Sequence, residues 1–384
     1  MHLLSLSLAG LATLSGCLVA WQWLAARKFP LHQKTVAGDF APAVSILKPL
    51  KGRDETTEAS LQSWFGQNFA GSFEILFAVA DANDPVCKIV GELIARNPNV
   101  PARLLVCDHL RGANAKVAKL ARLEQLAAHD LILISDADVR VPPDFISNFV
   151  APLRDEKTAL VNCFYRLANP STTAMKWEAV AINADFWSQA LQSTTLKPMD
   201  FALGAAILVR RRALEEIGGF AALADCLADD YQLGRRIAGH GHRLALCPVV
   251  VECWDVPQNW DQVWKHQLRW ARTIRVCEPA PYFLSILANG SLWPTLWLAA
   301  ALNSGVSPGG PLAAVFFILL RIISAQNLQR RFTPDRSLVS PLWLIPAKDF
   351  AQAFLWLAAF LGATIEWRGR KMRVLRDGTL VEVG

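Results

Sequence analysis

Residues 3–26 carry no charged side chain, and Arg27 and Lys28 follow at once. As a helix, 24 such residues reach about 36 Å, enough to cross a hydrocarbon core of about 30 Å. A segment like this needs an apolar environment, and that sets the terms for the rest of the chain. The basic pair predicts a cytoplasmic continuation and an outward-facing N-terminus by the positive-inside rule. A cleaved signal peptide is the competing reading. It calls for a basic leading region and a shorter apolar run, and neither is present.

The remainder cannot be all membrane. Of 384 residues, 53% are hydrophobic and 19% charged, with a mean hydropathy of +0.25. That is too apolar for a wholly soluble chain and too charged for a wholly embedded one. One globular domain of about 230 residues with apolar segments around it satisfies both. From residue 44 to about residue 275 short β-rich runs (44–47, 73–80, 103–106, 131–135) alternate with stretches of helical spacing (58–67, 86–96, 115–128). This alternation predicts a parallel sheet covered by helices, with ligands at the carboxyl ends of the strands.

Beyond Glu278 no charge appears until Arg321, room for two spans with a turn near residues 303–310. A third apolar stretch, 342–365, is interrupted by Lys348 and Asp349, leaving 16 uncharged residues from 350 to 365. The tail is basic and expected to be cytoplasmic, which requires an even number of crossings after the globular domain. One of the three segments is therefore expected to lie in the interface or to re-enter. The net charge of +6 is concentrated beside the apolar segments, at Arg27, Lys28, Arg330, Arg331, Arg368, Arg370, Lys371, Arg373 and Arg376. That is the signature of a membrane surface. No basic stripe lies inside the globular region, so nucleic acid is not an expected partner. The eight cysteines form no C-x-x-C pair and no zinc spacing with His, and are read as free thiols in a reducing compartment.

Acidic residues stand where the sheet should end. Asp81 and Asp84 follow the second β run, and Asp136-Ala137-Asp138 follows the fourth. Asp229 and Asp230 precede a helical stretch. In D-x-D, one carboxylate can hydrogen-bond a ribose and one can ligate a divalent cation, Mg2+ or Mn2+, bridging a diphosphate; the plain alternative is a pair of solvated turn acids. Asp230 can serve as a general base for an acceptor hydroxyl, or can simply favour a helix N-terminus. Arg269 can clamp a diphosphate through its fork of donors. Trp270 can stack on a sugar or wall an acceptor channel, or can sit at a membrane interface like others of the 14 tryptophans.

Taken in order, these parts resemble the GT-A fold glycosyltransferases, and within them the ceramide glucosyltransferase family, glycosyltransferase family 21. The resemblance is carried by Val44-Ser45-Ile46-Leu47-Lys48-Pro49-Leu50-Lys51-Gly52, Asp81-Ala82-Asn83-Asp84-Pro85 and Asn99-Val100-Pro101-Ala102-Arg103-Leu104. It continues through Asn114-Ala115-Lys116-Val117, Ser135-Asp136-Ala137-Asp138-Val139-Arg140-Val141 and Ala228-Asp229-Asp230-Tyr231. It ends with Leu268-Arg269-Trp270 and Glu366-Trp367-Arg368-Gly369-Arg370. It covers nearly the whole chain.

The resemblance implies an α/β fold, a Rossmann-like GT-A domain for nucleotide-diphospho-sugars flanked by transmembrane helices. Residues 1–28 would be an anchor, 42–278 the cytoplasmic transferase domain, 279–366 transmembrane and interfacial helices, and 367–384 a basic cytoplasmic tail. The setting would be the cell inner membrane, crossed more than once. Asp81 would contact uracil or ribose, Asp136 would be the second nucleotide aspartate, Asp138 the metal-side partner and Asp230 the catalytic base. Lys48 and Lys116 match positions near the nucleotide. His266 departs from the (Q/R)-x-x-R-W signature that it opens, where Gln or Arg is usual, and could donate to phosphate or acceptor. Lys119 stands where relatives often have Asn and is left without a role.

The expected activity is inverting transfer of one sugar from UDP-glucose or UDP-N-acetylglucosamine to a membrane lipid hydroxyl, on a hopanoid such as bacteriohopanetetrol, the acceptor favoured by general similarity to the hopanoid N-acetylglucosaminyltransferase branch, or on ceramide. The rival readings are a processive polysaccharide synthase and a non-catalytic membrane scaffold with a nucleotide-binding fold.

Overall fold

The computed structural model describes residues 2–34, 40–108, 110–303, 309–367, 370–375 and 378–382. Most of the expected turn at 303–310, and Arg368, Gly369 and Arg376 of the basic tail, lie outside the described residues. The chain separates into two compact units. A sheet unit comprises Leu31–Ala168, Pro198–Val256 and Gly378–Gly384, and a helical unit comprises Met1–Pro30, Asn169–Lys197 and Pro257–Asp377.

The sheet unit is built on β1 (Val44–Pro49), β2 (Phe73–Val79), β3 (Ala102–Val106), β4 (Leu131–Ser135), β5 (Val139–Arg140), β6 (Thr158–Leu167), β7 (Ala206–Arg210) and β8 (Arg243–Cys253). They form one eight-stranded sheet in the order β3-β2-β1-β4-β7-β6-β8-β5. β1 through β4 are the four runs expected from sequence, and they pair in parallel. Every residue of β1 and β4 is buried, because helices cover both faces and neither strand has a wet side.

Alternate side chains feed two separate cores. Ile46, Ile75, Phe77 and Leu133 point to one, filled by Leu61, Trp64, Val90, Leu93, Phe145 and Phe149. Leu47, Leu76, Ala78, Ile132 and Ile134 point to the other, filled by Val117, Leu120, Leu123, Leu233 and Ile237. β7 then enters antiparallel to β4, with Ser135 opposite Ala206. The carboxyl end of β4 thus lies beside the amino end of β7, and this one reversal assembles the site described below. The eight cysteines are all free.

In the helical unit, the helices His2–Lys28 and Gly309–Phe332 are long and apolar enough to cross a membrane. The pair Pro279–Ala288 and Leu292–Asn303 passes the same test only together and is bent by 43° at its break. The first span and Gly309–Phe332 pack closely where Gly16 leaves room for the Phe317 ring, and Trp23 donates to Asn327 at 2.8 Å. Small residues allow such approach where no hydrophobic drive separates helix from lipid.

Arg321 does not end the apolar helix that contains it. Its guanidinium is buried and meets Asp185 at 2.8 and 2.9 Å and Asp349 at 2.8 and 2.7 Å. Lys348 pairs with Asp185, and Ser291 donates to Asp349 at 2.7 Å. The charges that interrupt residues 342–365 are therefore buried as partners of this network, within the helix Leu344–Phe360. Beyond that helix, β9 (Thr364–Trp367) pairs antiparallel with β10 (Arg370–Val374). The last strand, β11 (Leu380–Glu382), belongs to the sheet unit, where Leu380 N–H donates to the Asp225 carbonyl at 2.8 Å.

Candidate active site

Asp136 leaves β4 with its N–H donated to the Ala205 carbonyl at 3.3 Å, the residue just ahead of β7. Its carboxylate meets the Lys116 ammonium at 2.8 Å, and the same ammonium meets Asp229 at 3.1 Å. Lys116 sits in the first turn of the helix Ala115–Glu124. That helix is held by Asn114, which is fully buried. The Asn114 side chain accepts from Lys116 N–H at 3.1 Å and Val117 N–H at 3.3 Å. It donates to the Cys226 carbonyl at 2.9 Å and to Asp229 at 3.3 Å. An ordinary N-cap thus also fixes the loop that carries the acidic pair. Burial alone would lower the Lys116 ammonium, but Asp136 and Asp229 outweigh it and raise its pKa well above the usual lysine range.

Asp230 behaves differently from its neighbour. One oxygen accepts from Tyr231 N–H at 2.8 Å. The other lies 2.5 Å from where a Cβ on Gly204 would stand. It makes no ion pair among the described residues. Surrounding protein and then the Asp229 charge push its carboxyl up to about 6, with Lys116 opposing. Asp229 and Asp230 both lie in the first turn of the helix Asp229–Gly239, so the helix-terminus reading holds alongside any chemical role.

Asp138, two residues beyond Asp136, is exposed on its loop. Crowding by protein, then repulsion from Asp136, pushes its carboxyl up to about 6, while Lys48 pulls it down. Lys48 is fully buried. It donates to Ser135 Oγ at 3.3 Å and to the Asp136 carbonyl, with the Trp64 ring 4.6 Å from its Nζ. Burial lowers its pKa to about 7 against the pull of Asp138 and Asp136. The ammonium therefore braces the aspartate loop from inside the fold.

Asp81 is exposed, and its carboxylate accepts from Asn83, at 2.8 Å from N–H and 3.3 Å from the amide. Asp84, to which no role was assigned, ties two loops together. It accepts from Gly52 N–H at 3.1 and 2.9 Å and from Val86 N–H at 3.0 Å. Gly52 has φ +69°, a conformation that favours glycine. Lys119 is buried and donates to the Leu50 carbonyl of the same turn. The signal for Asp84 was present in Asp84-Pro85-Val86, an acid two residues before a helix.

His266, Arg269 and Trp270 belong to the helical unit, on the helix Trp260–Cys277, which opens with a capping box of Asn259 and Gln262. His266 Nδ1 lies 2.6 Å from Glu178, and Gln267 donates to the same carboxylate oxygen at 2.8 Å. Trp270 stands edge-on to His266 with centroids 4.9 Å apart and tilts against Phe186 at 5.8 Å. Glu178 was not foreseen, and Gln267, one place too late to open the signature, was given no role.

Among the described residues no three His, Cys, Asp or Glu side chains form a closed metal cage. Asp136 and Asp138 are hard oxygen donors whose mutual repulsion a divalent cation would relieve. They fit an open site that a substrate's oxygens would complete.

The sequence model of glycosyl transferase family 21 matches residues 6–380. Two relatives from Caenorhabditis elegans are ceramide glucosyltransferase 3, 24% identical over 92% of this chain and 77% of that protein, and ceramide glucosyltransferase 1, 25% identical over 92% and 76%. Among solved structures, the mannosyltransferase PcManGT from Pyrobaculum calidifontis, in complex with GDP-Man and Mn2+, matches with a TM-score of 0.55. It is 21% identical over 92% of this chain and 98% of that one. The fold is GT-A, as the order of motifs implied. The chain is a hexosyltransferase and belongs to glycosyl transferase family 21.

Proposed function

We propose that the protein transfers glucose from UDP-glucose to the hydroxyl of a ceramide-like membrane lipid, with inversion at the anomeric carbon. The observation that carries this reading is Lys116 bridging Asp136 and Asp229 with Asp230, which makes no ion pair among the described residues, beside them. It joins a nucleotide-side carboxylate, a fixed cation and a candidate base in one place. The ceramide glucosyltransferase names of the relatives favour the donor and the acceptor class.

The lipid oxygen attacks the anomeric carbon, the bond from that carbon to the UDP oxygen breaks, and the hydroxyl proton passes to Asp230. A carboxyl near 6 is ionised at neutral pH and retains enough basicity to share a proton in the transition state. An α-linked donor yields a β-glycoside. Asp138 would hold a divalent cation, Mg2+ or Mn2+, which would neutralise charge on the leaving diphosphate. Asp136 faces the ribose side and Lys48 braces its loop from behind. Asp81 takes the base or ribose. Arg269 supplies a guanidinium for the diphosphate and Trp270 a face for the sugar or acceptor. The spans hold the enzyme at the inner membrane with its catalytic domain in the cytoplasm, where UDP-sugars are available and the lipid need not leave the bilayer.

The test is product analysis by mass spectrometry with the purified full chain in lipid nanodiscs. Glucosylceramide from UDP-glucose and ceramide is expected. An N-acetylglucosaminyl hopanoid from UDP-N-acetylglucosamine and bacteriohopanetetrol would replace both donor and acceptor. A long polymer would replace the single transfer with processive synthesis. Sugar transfer from neither donor would reject the reading.

A further inference from the structure

We infer that Glu178 is a positioning residue for the transfer reaction: it fixes the tautomer and orientation of His266, so that Nε2 is offered as a hydrogen-bond acceptor to a substrate hydroxyl. The inference rests on the reading that the His266–Trp270 segment meets substrate.

The Glu178 side chain is 6% exposed, while the His266 side chain is 36% exposed. A buried carboxylate is costly unless donors surround it, and both donors here come from consecutive residues of one helix, His266 and Gln267. The Glu178 oxygen can only accept from Nδ1 when it is ionised, so Nδ1 carries the proton and Nε2 of the neutral ring is left with its lone pair. Neutral imidazole in water prefers the opposite tautomer, so the fold selects the minority form. Nε2 has no partner among the described residues.

The ring cannot readily turn away. Trp270 packs against it with the ring planes 62° apart. The two helices are pinned together at their N-terminal ends. Thr172 caps the helix Thr173–Val180 by accepting from Met175 N–H at 3.1 Å. The same hydroxyl donates to the Gln258 carbonyl at 2.7 Å, one residue ahead of the capping box that starts the helix of His266. If only packing were at stake, Gln267 with a neutral amide at 178 would satisfy the same groups without burying a charge.

The experiment uses the full chain in nanodiscs with 15N-labelled histidine. His266→Gln identifies the ring signals of residue 266 among the seven histidines. At a pH where the ring is neutral, the wild type is expected to show a protonated Nδ1 and an unprotonated Nε2. Glu178→Ala is expected to move the proton to Nε2, and Glu178→Gln, whose amide oxygen still accepts, to leave the tautomer unchanged. Partners that orient a metal-bound histidine in the same way typically carry roughly 10–100-fold, and the same scale is expected here. Glu178→Ala and His266→Ala should each lower kcat by about that factor with the UDP-sugar KM unchanged, and the double variant should be no worse than either.

An unaltered tautomer in Glu178→Ala, or losses that multiply in the double variant, would overturn the inference. Arg269→Ala separates it from the reading beneath. If Arg269→Ala turns over normally, the segment does not meet substrate. If Arg269→Ala fails while Glu178→Ala turns over normally, only the role of Glu178 is lost.

Discussion

Asp230 stands over Gly204, its Oδ2 2.5 Å from where a Cβ on residue 204 would be. Gly204 precedes β7, and β7 lies beside β4, so this glycine places the candidate base next to the aspartate loop. The obstructed atom is the tip of a side chain, which can swing aside where backbone could not. Gly204→Ala should therefore fold normally and lose kcat by roughly tenfold or more, as expected for a displaced base. Thermal unfolding measured beside turnover checks this; equal losses in both would mean that the glycine serves packing alone.

Turnover should fall in acid. The Asp230 carboxyl is raised to about 6, so it is protonated below that pH and cannot accept a proton from the lipid. The kcat profile should decline as pH drops through about 6. The stability sign is opposite. Asp138 and Asp230 have folded values above the usual aspartate value, so the folded state binds more protons between about 4 and 6. Their contribution to stability therefore diminishes as pH rises across that window. Activity and unfolding measured over pH 4.5–8 should slope in opposite directions from these groups.

Lys116 neutralises Asp136 and Asp229 from a side chain only 14% exposed. Lys116→Met leaves two carboxylates facing each other without their cation. Breaking a pair of this kind costs about 3 kcal/mol or more when fully buried, and somewhat less at this exposure. UDP affinity should fall about tenfold or more, measured by calorimetry, while Lys116→Arg should retain most of the fold's stability.

In the helical unit, Arg321 is shared between Asp185 and Asp349. Arg321→Leu leaves two buried carboxylates with Lys348 as the one remaining cation among the described residues. A loss of about 3–5 kcal/mol is expected, read as early thermal unfolding in detergent. Arg321→Leu with Asp349→Asn should recover much of it, because Lys348 still pairs with Asp185 and no uncompensated charge remains.

The parallel half of the sheet was legible because strands covered on both faces are written as unbroken apolar runs, as in Leu131-Ile132-Leu133-Ile134, and because D-x-D follows one of them directly. The antiparallel entry of β7 was not legible. Nothing in Ala206–Arg210 states its direction, so the approach of Gly204 to Asp230 could not be foreseen. Charge was less legible. Lys48, matched in sequence to a position near the nucleotide, is fully buried under the loop it braces. Lys348 and Asp349 read as an interruption of an apolar segment and are half of a buried network whose other half lies at Asp185 and Arg321. Local pattern reports the environment of a residue; it does not report a distant partner that neutralises it.

Asp230→Asn puts the whole arrangement to its sharpest test, because it removes the basicity of the carboxylate while keeping the shape of the side chain. Turnover and UDP binding are measured together on the full chain. The account predicts a loss of roughly a hundredfold or more in kcat, with UDP affinity changed little. Turnover close to that of the unaltered protein would contradict it.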